Sequence, residues 1–174
     1  MLFVGTYEHT IDSKNRLSIP AEIRMELDRY RDGTRFFVTP GRHKGTLSLY
    51  TERRFLELVA GIPADLIPDR DQYIYDSIFF SMAKPVEMDK QGRILLPEYL
   101  LQRTGIHGEV VLTGCRDHLD IWNKADYEAF FKQHWERYPE IQDKAAEALR
   151  RRRAEQQLEI TSNGSALQDP PKLT

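Results

Sequence analysis

The chain has 174 residues, 40% hydrophobic and 30% charged, the composition of an ordinary folded domain rather than of a disordered or fibrous chain. With 25 Lys and Arg against 27 Asp and Glu, the formal net charge is −2. That balance excludes a protein that coats nucleic acid through bulk positive charge and leaves room only for a local basic surface. The single cysteine, Cys115, leaves no intramolecular disulfide to form, and no apolar run approaches the roughly 18 residues of a membrane span, so the chain is expected in the cytoplasm, free of the membrane. The start is apolar only briefly, meets Glu8 early and lacks a basic flank, so it is not expected to be a signal peptide.

In chain order, "VGTYEHTID" (4–12) leads into "DSKNRLSIP" (12–20). An Asp followed by Lys-Asn suits a tight turn, because the carboxylate accepts backbone N–H bonds and Asn tolerates positive φ. Asp12 and Asn15 are therefore the turn-setting residues, "RLSI" is a short alternating strand, and Pro20 opens a helix over "PAEIRMELDRY". Strands follow at "RFFVTP" and "TLSLY", then a helix "TERRFLELVAG" with Thr51 as its N-cap. Between Ile62 and Phe79 the prolines break the chain, and an apolar-rich segment from Asp71 to Ala83 is expected to be a helix.

The order then begins again. "DKQGRILLP" (89–97) sets Asp89, Arg93 and Pro97 against Asp12, Arg16 and Pro20, with Gly92 where the first copy has Asn15. "RILL" is apolar enough to be expected buried on both faces, and "PEYLLQRTG" is a helix ended by Gly105. "EVVLTG" and "LDIW" are strands, and "NKADYEAFFKQHWERY" is a helix with Asn123 as its expected N-cap. Two copies of this size are each too small to bury a good core alone, so they are expected to pack on one another. Beyond Pro139 a helix-forming run with "RRRR" at 150–153 is expected as a C-terminal helix over 139–161, its basic cluster read as a charged helix end, with a disordered tail over 162–174.

The opening "FVGTYEHTIDSKNRLSIPAEIR", the second "MDKQGRILLPEYLL" and the spacing between them resemble the MraZ family of bacterial transcriptional regulators over about residues 1–140. The resemblance implies an α+β fold of two tandem AbrB-like β-hairpin repeats, 1–60 and 80–138, joined by a structured linker over 61–79 and forming a pseudo-dimeric β-barrel with flanking helices. It further implies a ring-shaped homo-oligomer, nucleoid-associated, that binds repeated boxes in double-stranded promoter DNA through the turn arginines.

Two readings of Arg16 and Arg93 stand side by side on the motif alone: they hold the turn by pairing with Asp12 and Asp89, or they present guanidinium forks to phosphates and guanine edges. The resemblance favours the second, with Lys14 and Lys90 beside phosphates and Gln91 able to bond either a phosphate or a base edge. Another class of function also fits the same fold, an antitoxin-like or scaffold module whose turns meet protein. Enzyme signatures are weak: there is no P-loop, GxGxxG or HExxH, and Cys115 with His118 makes a lone Cys-x-x-His without a second ligand pair. The expectation is a buried, inert cysteine, no catalysis, no metal, no cofactor and no small-molecule substrate.

Overall fold

Polar and half-buried residues alternate through "TYEHT", and this stretch forms strand β1 (Thr6–Thr10). After the Asp12 turn comes β2 (Arg16–Ser18), and Pro20, its φ preset at −51°, starts helix α1 (Ala21–Glu26) without a side-chain cap. The single helix expected over "PAEIRMELDRY" is broken in two. Leu27 turns extended, and the Asp28 carboxylate accepts the N–H groups of Tyr30 (2.8 Å) and Arg31 (3.0 Å), so that a new short helix, α2 (Arg29–Asp32), begins there. A residue that caps this well competes successfully with helix continuation.

The remaining elements are β3 (Phe36–Pro40), β4 (Leu47–Thr51), α3 (Glu52–Ala60), α4 (Arg70–Met82), β5 (Lys84–Val86), β6 (Arg93–Leu95), α5 (Glu98–Thr104), β7 (Glu109–Gly114), β8 (Leu119–Asn123), α6 (Lys124–Trp135) and α7 (Tyr138–Ser165). Thr51 caps α3 as expected, accepting from the Arg54 N–H at 3.4 Å, and Gly105 at φ 73° ends α5 in the left-handed region. Asn123 is used differently from the expected cap. Its carboxamide accepts from the His107 N–H and donates to the Gly105 carbonyl, each at 3.1 Å, and so ties down the turn between α5 and β7.

All strand pairs are antiparallel, and six strands form one sheet in the order β1-β7-β8-β4-β3-β5. Exchanging each strand for its counterpart in the other half of the sequence leaves that order unchanged. Strand β1 of the first half lies on β7 of the second, and β5 of the second lies on β3 of the first. Hydrogen bonding does not close the strands into a barrel: β1 and β5 are the edges of an open sheet, and β2 with β6 forms a separate two-stranded ladder.

The inward residues of that ladder, Leu17 and Ile94, together with Ile19 and Leu96 just past its strands, share one buried cluster with Val38, Leu49, Leu112 and Ile121 of the sheet. A single core therefore draws on both halves, which neither has the length to build alone. The second strand is not buried on both faces as expected: Ile94 is fully buried, whereas Leu95 is 60% exposed, so β6 alternates like β2.

The computed structural model describes residues 1–62 and 69–165. The chain divides into two units, Met1–Glu128 and Ala129–Thr174. Helix α7 reaches Ser165, past the expected end at 161, and the rest of the expected disordered tail, 166–174, lies outside the described residues, as do residues 63–68 of the expected linker. No helix among the described residues is long and apolar enough to cross a membrane.

Candidate nucleic-acid interface

The two Asp-x-x-x-Arg turns have the same bonding, atom for atom. In the first, Oδ1 of Asp12 accepts the N–H groups of Lys14 (2.9 Å) and Arg16 (3.0 Å) while Oδ2 holds the Arg16 guanidinium through Nε and Nη2, both at 2.7 Å. In the second, Oδ1 of Asp89 accepts from Gln91 (2.9 Å) and Arg93 (3.0 Å), and Oδ2 holds Nε (2.9 Å) and Nη2 (2.7 Å) of Arg93. Four donors on one carboxylate favour its ionised form. The Arg93 guanidinium and backbone N–H bring Asp89 down to about 2, and the Arg16 N–H leads the bonds that lower Asp12.

Each turn needs a left-handed residue, and Asn15 (φ 59°) and Gly92 (φ 78°) supply it. The turns are also tied to each other. The Ile19 N–H donates to the Gly92 carbonyl and the Leu96 N–H to the Asn15 carbonyl, both at 2.9 Å, flanking a ladder in which Arg16 faces Leu95 and Ser18 faces Arg93. Because side chains alternate along a strand, Arg16, Ser18, Arg93 and Leu95 share one face and Leu17 with Ile94 the buried one.

The two arginines thus lie diagonally across one exposed face, their Cα atoms about 8 Å apart by strand spacing. Both side chains keep some solvent access, 33% for Arg16 and 24% for Arg93, and the aspartates engage Nε and Nη2, leaving Nη1 of each directed elsewhere. Lys14, Lys90 and Gln91 are exposed around the turns. Lys14 and Gln91 hold the equivalent place, each giving its N–H to the aspartate, so Lys90 has Ser13 as its counterpart.

Arg24 was not singled out by sequence. Its Nε donates to the Ile19 carbonyl (3.1 Å), and its guanidinium covers Gly92 so closely that a Cβ there would sit 2.5 Å from Nη1. The second copy has Leu101 at the corresponding position, so this contact is made once. The only signal was a lone arginine on the helix after the first turn, and nothing local says that it crosses to the other turn.

A pair of acid-clamped arginine turns, each feeding a strand, a proline and a helix, and joined across one ladder, defines an α+β class built from interlocked copies of one motif. A family model described as "MraZ protein, putative antitoxin-like" matches residues 79–152. Among curated proteins, the chain is similar to a "Transcriptional regulator MraZ" of Moorella thermoacetica, 33% identical over 143 residues that make up 82% of this chain and 96% of the relative. It is likewise similar to proteins of the same description from Mycoplasmopsis pulmonis (32% over 130 residues, 75% of this chain and 84% of the relative) and Carboxydothermus hydrogenoformans (32% over 148 residues, 85% and 99%). The chain belongs to the MraZ family.

Proposed function

We propose that the protein is a sequence-specific DNA-binding transcriptional regulator, cytoplasmic and nucleoid-associated. The observation that carries this reading is the single exposed face of the β2/β6 ladder, where the family's two turns set Arg16 and Arg93 side by side in rigid, matching frames. A guanidinium already fixed at one edge loses little freedom on contact, and its remaining N–H groups suit phosphate or the O6/N7 edge of guanine. Lys14 and Lys90 flank the face as phosphate contacts, Gln91 reaches phosphate or base, and Asp12, Asn15, Asp89 and Gly92 hold the frame. Leu95 adds an exposed apolar group of the kind that meets a thymine methyl.

We place this face on a duplicated AbrB-like core, copies 1–60 and 80–138 around a pseudo-dimeric centre. The strand order that survives exchange of the halves supports that placement. In a ring of copies, weak contacts to successive promoter boxes add up, since linking sites raises avidity by about 10²–10⁴ when spacing fits. This reconciles DNA binding with a net charge of −2.

The test is a mobility shift on the promoter segment upstream of the protein's own gene, at several salt concentrations, for wild type and Arg16→Ala/Arg93→Ala. The double variant should lose specific retention with its circular dichroism and oligomer size unchanged. If it unfolds or dissociates instead, the arginines serve only the turns. A second reading, a module whose turns meet a protein partner, is favoured by the antitoxin-like description of the matching family model. The salt response separates the two, because DNA affinity falls with a log–log slope of about −0.9 per phosphate neutralised.

A further inference from the structure

The hairpin between β7 and β8 gathers three metal-ligand side chains. Cys115 closes it by donating its N–H to the His118 carbonyl at 2.9 Å, with Arg116 in the left-handed region at φ 72°. Asp120, on β8 two residues past His118 of the hairpin turn, comes up beside the imidazole. One donor atom from each of Cys115, His118 and Asp120 lies within 4.8 Å of the others. Cys115 Sγ is 3.4 Å from Oδ2 of Asp120, and His118 Nε2 is 3.3 Å from Oδ1. Ligands around a tetrahedral zinc ion, at about 2.3 Å for sulfur and about 2.0–2.2 Å for nitrogen and oxygen, stand roughly 3.4–3.6 Å apart.

Groups outside the trio aim it. Asp117 lies 2.8 Å from His118 Nδ1, which leaves Nε2 to face the cluster, and Asp117 is itself gripped by Arg54 at 2.7 Å. A carboxylate behind the imidazole is the usual orienting partner of a metal-bound histidine. Ser48, opposite Asp120 on β4, donates to its Oδ1 at 2.6 Å, and the Tyr50 ring stacks on the imidazole with centroids 4.8 Å apart. The side chains of His118 and Asp120 keep 20% and 12% of their surface exposed.

We propose that Cys115, His118 and Asp120 form a three-ligand site for a divalent transition-metal ion of the zinc class, with Asp117 and Ser48 as positioning residues and the fourth place left to solvent. The mixed sulfur, nitrogen and oxygen donors select zinc or cobalt over magnesium or calcium. Burial pushes the Cys115 thiol up to about 11, so it is not a free thiolate nucleophile near neutral pH, and binding sends its proton to solvent as the sulfur–metal bond forms. The first copy has Gly41, Thr46 and Ser48 at the matching positions, so all three ligands come from the second copy, with Ser48 and Arg54 of the first copy supporting them, and the site is independent of the DNA reading.

The probe is Co²⁺ titrated into the full chain after treatment with chelator and reductant. One equivalent should bind with a thiolate-to-cobalt charge-transfer band. Cys115→Ser should lose that band while the metal-free protein melts as wild type does. Asp117→Asn should keep the band and weaken affinity by about 10–100-fold. Absence of the band, or its survival in Cys115→Ser, overturns the site; unchanged affinity in Asp117→Asn overturns the positioning role.

Discussion

Gly92→Ala probes the frame of the second turn more directly than removal of a charge. Two costs arise. A left-handed backbone such as Gly92's (φ 78°) costs an L-residue about 1–2 kcal/mol. The new Cβ would lie 2.5 Å from Nη1 and 2.6 Å from Cδ of Arg24. That arginine is the end of a flexible side chain, so it swings away and gives up its bond to the Ile19 carbonyl, worth about 0.5–1.5 kcal/mol. Alanine also stiffens the unfolded chain, which returns about 0.4–1 kcal/mol.

The net loss is about 0.5–3 kcal/mol, centred near 2, and with a urea dependence of about 2 kcal/mol per molar the unfolding midpoint falls by about 1 M. Gly92→Asn, which tolerates the backbone but still meets Arg24, should lose about half as much. Adding Arg24→Ala to Gly92→Ala should bring little further loss, because the two changes remove the same contact. A Gly92→Ala midpoint within error of wild type, or full additivity with Arg24→Ala, would refute the reasoning.

Asp89, held at about 2, stabilises the turn in its ionised form, so its contribution is complete above the ordinary carboxylate value of 3.8 and is lost as the pH falls through about 2. A carboxyl carbon titration by NMR should place its midpoint there, and a midpoint near 4 would break the assignment. Ile94→Ala, at a fully buried position, should cost about 2–5 kcal/mol in urea unfolding, whereas Leu95→Ala should stay within about 0.5 kcal/mol and instead weaken retention of promoter DNA. Thr51→Ala removes a long capping bond and should cost about 0.5–1 kcal/mol, read as a lowered melting temperature.

What the sequence disclosed was local. Both turns, both proline-started helices and the Gly105 stop were legible because each depends on two or three adjacent residues with special backbone preferences. The break at Asp28 was missed because strong helix formers surround it and only the observed bonds to Tyr30 and Arg31 decide the outcome. Leu95 misled because four apolar neighbours look alike until the ladder shows which of them face the core. Cys115 with His118 was set aside for want of a second ligand pair; the bond from Ser48 to Asp120 was illegible because it crosses from a strand of the other half. Arg24 was illegible for the same reason: its contact crosses between halves.

The interlocked strand order has a consequence during synthesis. Strand β1 finds its sheet partner, β7, on the order of 100 residues later in the chain, and at about 5–20 residues per second a ribosome needs some 5–20 s to deliver it. Throughout that interval the nascent first half has an unpaired edge and a half-made core, a state that invites capture by another nascent chain or by a chaperone. A ribosome that stalls before β7 leaves a polypeptide with no native state to reach, so the quality of this protein rests on uninterrupted translation of its second half.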